Sequence, residues 1–491
     1  MYDVAQHRNF LAAAPRSFKA AAAEAGRVRR RRRRPTIAVM KKTAKRFWKL
    51  GREEFNTQFF DITRKNTLLV REGNNQYDLR ELAKKYGSPL EVFFPFIVES
   101  RVRRLIDLFN AYIKINSYRG RFFYHFPMKV NQNKACVLTL ISEGANLETS
   151  SVNELWIVKR LWEEERINGK MRVLCNGPKT EKYIGLIDEL DRKGLAITPI
   201  IESLSELEQM KRYRGEVGVR VDMQVKVRSH WDKKFNHFGL PESELLRLGR
   251  IKNLGVLSYH ISSQIETIDG LTAPIRRVLQ LYAKMREKNP KLDTIDIGGG
   301  GGVPYEKRRF YTGKAAINRI VKTFKQACQR LEIREPNIIC EWGRYVAAPS
   351  QVTVFRVLGE RPIHPSSAKQ WYVIDGSFMN DLPDTALVHQ RWHIVPANNL
   401  AARRLQQVWL SGSSCDSDDK YTAGGAHIVL PRLEEGEDQY IAVMDTGAYQ
   451  DALASQHCLL AGPSKLVAEN GRVFVVRKRE TPEEIGRRFG W

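Results

Sequence analysis

In the stretch "FFYHFPMKVNQNK", residues 122–134, Lys129 closes an apolar run and opens the polar sequence Asn131-Gln132-Asn133. A buried ammonium is costly unless it is paired or chemically altered, and a lysine amine is also the group that forms Schiff bases with carbonyls. Lys129 is therefore either an ordinary strand-end lysine or a covalent anchor. Further along, "TIDIGGGGGVPYE" sets five consecutive glycines, Gly298–Gly302, directly after an apolar run. Without Cβ atoms such a turn lets backbone N–H groups converge on an anion, as in a phosphate nest. The plain alternative is a flexible surface loop. It is not a dinucleotide fingerprint, because the glycines end a late strand and no acid closes a following one.

"CEWGRY" supplies Glu341 and Arg344, and "SYHISSQ" supplies His260 and Ser263. A carboxylate here can hold a proton on a heterocyclic nitrogen, and Arg344 can steady it or meet a phosphate. Taken singly, these are more often a structural ion pair and a structural histidine. Taken together, an amine, an anion nest, a carboxylate and an imidazole suit one cofactor, pyridoxal 5′-phosphate: aldehyde to lysine, phosphate to glycines, ring nitrogen to acid. "SGSSCDSDDKYT" clusters Cys415, Asp416, Ser417, Asp418 and Asp419. It reads either as a solvated acidic turn or as a thiol proton donor beside carboxylates that attract a cationic substrate.

These residues need elements to position them. From about residue 120 the chain alternates eight short apolar runs, from "FFYHFPMKV" to "NIICEWGRY", with amphipathic stretches such as "VNELWIVKRLWEEER". That alternation predicts a (β/α)8 barrel, a TIM barrel. Lys129, Glu148, His260, the glycines and Glu341 all fall at or just after the predicted strand ends, where such a barrel builds its active site. "NTLLVREGNNQYDL" before the barrel and "PSQVTVFRVLGE", "WYVIDGS", "QYIAVMDTGAY" and "GRVFVVRKRE" after it predict a β-rich second domain built from both chain ends. The expected boundaries are a basic, disordered tail over 1–50, the N-terminal part of the β-domain over 51–95, the barrel over 96–350 and the C-terminal β-domain over 351–491.

The 491 residues, 42% hydrophobic and 28% charged, are globular in composition. Half of the net charge of +26 sits in residues 1–50, which hold fifteen Lys or Arg against two acids. A nucleic-acid partner is therefore not expected, beyond nonspecific contact by that tail. The six cysteines form no CxxC pair or metal-site spacing, and no apolar run reaches a membrane span. A cytoplasmic enzyme without a metal site is the expectation.

The chain resembles the fold-type III pyridoxal-phosphate decarboxylases, which join an alanine-racemase-like barrel to a C-terminal β-domain. Within them it is most similar to the biosynthetic arginine decarboxylases. "FPMKVNQ", "GANLETSSVNEL", "VLCNGPK", "IIESLSELE", "HISSQI", "DIGGGGGVPYE", "CEWGRY", "SCDSD" and "TGAYQDALASQHCLL" follow that family's motifs in order. The resemblance implies that Lys129 carries the cofactor, His260 stacks on its ring and Glu341 binds its nitrogen, with Glu148 near the ring. It implies that Ser263, Gly299, Gly300, Arg344 and Tyr449 hold the phosphate. Cys415 would protonate the carbanion after CO2 leaves, Asp416 would bind the substrate's distal cation, and Asp375 matches a substrate-binding acid of ornithine-specific relatives. The Cys/Asp loop would serve the other subunit's site, making a homodimer the minimal unit. The implied reaction is L-arginine to agmatine, in polyamine and spermidine biosynthesis. Ornithine, lysine or diaminopimelate are the alternatives on the same fold; an amino-acid racemase or an inactive regulatory homologue is more remote.

Overall fold

The computed structural model describes residues 37–491 apart from 226, 228, 230–235, 308 and 309. Of the stretch expected to be a basic tail, residues 1–36 lie outside the described residues. Ile37–Phe47 is helical, and Ala44, Trp48 and Leu50 are buried among residues of the β-domain. The Trp48 indole N–H donates to the Leu400 carbonyl at 2.8 Å, so the few apolar residues of 44–50 pack rather than trail.

Three antiparallel strands come first, β1 (Phe60–Ile62), β2 (Leu68–Glu72) and β3 (Asn75–Asp78), followed by β4 (Leu90–Phe93). The eight apolar runs then form β5 (Phe122–Pro127), β6 (Asn146–Thr149), β7 (Arg172–Cys175), β8 (Ala196–Ile201), β9 (Val217–Arg220), β10 (Leu254–Ser258), β11 (Thr294–Asp296) and β12 (Asn337–Cys340). They close in chain order into one parallel barrel, β12 pairing with β5. Phe123, Leu174, Ile200, Val256 and Ile339 fill its interior. Gly218 fits this layer because a Cβ there would lie 2.4 Å from Ile200 Cδ1. The other faces of the strands meet the surrounding helices, which is why these runs are apolar throughout rather than alternating.

Several helices start on a Ser or Thr cap just past a strand end. Ser151 accepts from the Glu154 N–H, Thr180 from Tyr183 and Ser203 from Glu206. The Glu154 and Glu206 carboxylates turn back to accept the N–H groups of Ser150 and Glu202. This reciprocal capping fixes the strand-to-helix turns on which site residues sit.

The second domain is a ten-stranded sheet. β13 (Gln351–Pro362) pairs antiparallel with β4, and β20 (Ser464–Glu469) runs parallel on β4's other side. A strand from before the barrel therefore lies in the middle of a sheet otherwise made after it. β14 (Gln370–Ile374), β15 (Ile394–Pro396), β16 (Leu405–Ser411), β17 (Lys420–Tyr421), β18 (Ile428–Pro431), β19 (Gln439–Val443) and β21 (Arg472–Arg477) complete it.

Candidate active site

β5 ends at Pro127, and the short 3-10 turn Met128–Val130 presents Lys129 to a cavity of about 820 Å3 at the C-terminal end of the barrel. The Lys129 side chain is partly exposed to the cavity, and its Nζ lies 4.0 Å from Glu148 Oε2. Glu148, at the end of β6, is fully buried. Its Oε1 accepts from the Ser150 hydroxyl at 2.8 Å, while Oε2 has no hydrogen-bond partner. The Glu148 charge holds the Lys129 ammonium above the usual lysine range, outweighing burial.

His260 and Ser263 follow β10, and the glycines follow β11. A Cβ on Gly299 would come within 2.9 Å of His260 Nε2, so only glycine lets the imidazole lie against this turn. Gly300, at φ +124°, adopts a backbone conformation that side chains resist. Gly299, Gly300 and Gly301 border a narrow recess together with Lys129, Ser263, Arg344 and Tyr449.

Glu341 follows β12 and accepts from Asn176 Nδ2 at 3.1 Å. Burial pushes its carboxyl well above the usual range, and the charges of Asp296 and Glu148 add to the effect. Asp296 is raised for the same first reason, although it accepts from the Ser258 hydroxyl at 2.8 Å and the Gly298 N–H at 2.9 Å. An acid so placed ionises when a cation sits against it.

The β-domain closes the site from outside the barrel. Buried Arg344 donates from Nη1 to the Tyr305 hydroxyl at 2.8 Å and to Asp384 Oδ2 at 3.0 Å, and its guanidinium lies 4.4 Å from the centre of the Tyr449 ring. Tyr449 is itself held by its N–H, which donates to the Val130 carbonyl at 2.8 Å next to Lys129.

The structure thus gathers Lys129, Glu148, His260, Ser263, Gly299, Gly300, Glu341, Arg344 and Tyr449 at one place. It does not bring Cys415, Asp416 or Asp375 to this cavity within the chain. Asp375 accepts from the Ser88 hydroxyl and from the Arg356 N–H. Cys415 is exposed, and Asp416 Oδ2 pairs with His457 Nε2 at 3.2 Å. The acid of the "VIDGSFMNDLPDT" segment that does line the cavity is Asp384. Sequence reading also missed Asn176, Glu202 and Arg220, all cavity-lining. Each stands at or just past the end of a strand read correctly, so applying the rim argument to every strand finds them. Arg220 is paired with both oxygens of Glu202 at 3.3 Å.

Residues 102–348, half of the chain, match the family described as "pyridoxal-dependent decarboxylase, pyridoxal binding domain". The chain belongs to this family, and pyridoxal 5′-phosphate is its cofactor. Among similar proteins is the biosynthetic arginine decarboxylase of Rhodopirellula baltica, 28% identical over 66% of this chain but only 53% of that protein. The chain therefore spans about half the length of this curated relative. The diaminopimelate decarboxylase of Methanocaldococcus jannaschii is 25% identical over 86% of this chain and 96% of its own length. Among solved structures, the biosynthetic arginine decarboxylase of Campylobacter jejuni shares the fold with a TM-score of 0.74 at 20% identity, covering 86% of this chain and 88% of that one.

The residues present fit the cofactor on their own geometry. The recess bordered by Gly299, Gly300 and Arg344 suits a phosphate. Lys129 offers the amine for the aldehyde, and the buried, proton-retaining Glu341 lacks the cation that a protonated ring nitrogen provides.

Proposed function

We propose that the protein is a carboxy-lyase that decarboxylates a basic L-amino acid, with L-arginine as substrate and agmatine and CO2 as products, in polyamine and spermidine biosynthesis. The observation that carries this reading is the charge arrangement of the cavity. Among its described lining residues, Arg220 and Arg344 are already paired to Glu202 and Asp384, and the remaining pair, Lys129 and Glu341, is the one that faces the cofactor. A second substrate carboxylate therefore finds no uncommitted guanidinium among them, which favours a basic side chain over a second acid.

When bound, the cofactor's ring accepts the electron pair released as CO2 leaves. The chain's own residues orient and neutralise. Glu341 carries the charge opposite the ring nitrogen, with Asn176 fixing its carboxylate plane. His260, which lies against the glycine turn, would stack on the ring, and the Lys129 amine would hold the aldehyde and could receive or return a proton. Asp384 faces the substrate side of the cavity. Cys415 and Asp416 serve as proton donor and distal-cation acceptor for a second copy of the chain. An apolar rim supports that copy: Leu387 and Leu453 line the cavity yet are 65% and 45% exposed. All six cysteines are free, which fits a reducing cytoplasm.

The relative matched along nearly its whole length gives meso-diaminopimelate as the second reading. CO2 release by the cofactor-loaded protein from L-arginine, L-ornithine, L-lysine and meso-diaminopimelate in parallel tests both. Preference for arginine is expected; preference for diaminopimelate reassigns the pocket, and no release from any of the four refutes the decarboxylase reading.

A further inference from the structure

The Cys415–Asp416 loop has a partner that the reaction described above leaves without a role. Asp416 accepts the Asp418 N–H on Oδ1 at 2.8 Å and meets His457 Nε2 on Oδ2 at 3.2 Å. Its carboxylate is thus hydrogen-bonded by the loop itself at one oxygen and met by an imidazole from a distant segment at the other. His457 is in turn held by its backbone: its carbonyl accepts from Asn380 Nδ2 at 2.9 Å, and the Asn380 Oδ1 accepts from the Ser455 hydroxyl at 2.9 Å. His457 and Asp416 are 46% and 30% exposed. A pair this open contributes little to stability, so its effect is on where the carboxylate points. With Oδ1 held by its own loop and Oδ2 beside the imidazole, the carboxylate is set by groups from two segments, and a carboxylate is the group that a guanidinium meets with two parallel N–H donors.

The segment carrying His457 also carries Tyr449, which lines the chain's own cavity, and exposed Leu453 and Leu459 lie between and beside them. It therefore touches a cofactor cavity at one end and the substrate-acid loop at the other.

We propose that His457 is a positioning residue and a specificity determinant for the decarboxylation: it fixes the plane of Asp416 so that the carboxylate takes the substrate's distal guanidinium in bidentate fashion. This rests on the basic amino-acid reading given above. His457 touches neither the cofactor nor the reacting atoms, so cofactor loading and kcat are set elsewhere.

The test compares His457→Phe, His457→Gln, Asp416→Ala and the double variant Asp416→Ala/His457→Phe in the cofactor-loaded protein, with L-arginine and L-ornithine as substrates. For His457→Phe, KM for arginine is expected to rise roughly three- to tenfold with kcat and cofactor absorbance unchanged. KM for ornithine, whose ammonium makes a single-point contact, is expected to change less. His457→Gln, which keeps an N–H donor, is expected to restore most of the loss, and the double variant to be no worse than Asp416→Ala. A normal KM in His457→Phe beside a raised KM in Asp416→Ala overturns the role of His457 and leaves the reading of Asp416 standing. A normal KM in Asp416→Ala overturns both. An equal rise for arginine and ornithine, or failure of Gln to rescue, refutes the bidentate positioning.

Discussion

At the scale of single residues, the site is governed by how few carboxylates are compensated. Glu148, Asp296 and Glu341 are all buried near one lysine, and the Glu148 charge adds to the burial that raises the carboxyls of Asp296 and Glu341. Schiff-base formation needs a neutral amine, yet Glu148 stabilises the ammonium of Lys129. The acid therefore slows capture of the aldehyde while holding the amine in place. Glu148→Gln removes that charge, so the Lys129 amine becomes neutral at lower pH. Cofactor capture by the apoprotein, followed by stopped-flow absorbance, should accelerate at fixed pH near neutrality. Its rise with pH should move to lower values than in the wild type. An unchanged pH profile would show that Glu148 does not set the protonation of Lys129.

At the scale of elements, the turns after strands are where charge is stored. Asp381, in the turn after β14, accepts the Ser377 N–H at 2.8 Å, and burial pushes its carboxyl up to about 7. The unfolded chain releases this proton near 3.8, so the folded state holds the extra proton between those values and stability falls as pH rises through that window. Against Asp381→Asn, wild-type stability from urea melts should decline by about 1.4 kcal/mol for each pH step of one from 4 to 7 and then level off. A second store joins the chain ends: Lys465 of β20 meets Glu91 of β4 at 3.0 Å and Asp451 at 2.7 Å. Lys465→Met leaves the buried Glu91 with only the Arg477 guanidinium, at 3.0 Å, and should cost on the order of 1–3 kcal/mol in the same melts. Such elements were unevenly legible. β5–β12 are buried on both faces and announce themselves as apolar runs, and the residues at their ends inherit that legibility. The three- and four-residue strands β15 and β18 gave no periodic signal, because their pairing to β19 and β16 is settled by contacts distant in sequence. Asp384 was illegible for a related reason. Its seat depends on Arg344, which reaches it from the other domain.

At the scale of the whole molecule, the proposed shared site draws on two groups of residues that the chain keeps apart. Lys129 and the glycine turn belong to the barrel rim, whereas the loop bearing Cys415 and Asp416 lies on the β-domain outside the cavity lining. A two-fold assembly joins such halves without bending either domain, since one contact made by both copies completes two sites. The exposed leucines at the cavity rim and beside Cys458 are the surface such a contact would cover. Lys129→Ala and Cys415→Ala each leave one half intact. Mixed after co-expression, their hetero-pairs contain one site with both wild-type residues and one with neither, so the equimolar mixture should regain roughly a quarter of wild-type activity. Sites completed within a single chain would give no recovery, because every site would then lack one of the two groups. Purifying the hetero-pair through two different affinity tags separates the cases: activity near half of wild type per pair requires the shared site, and silence from a confirmed hetero-pair excludes it.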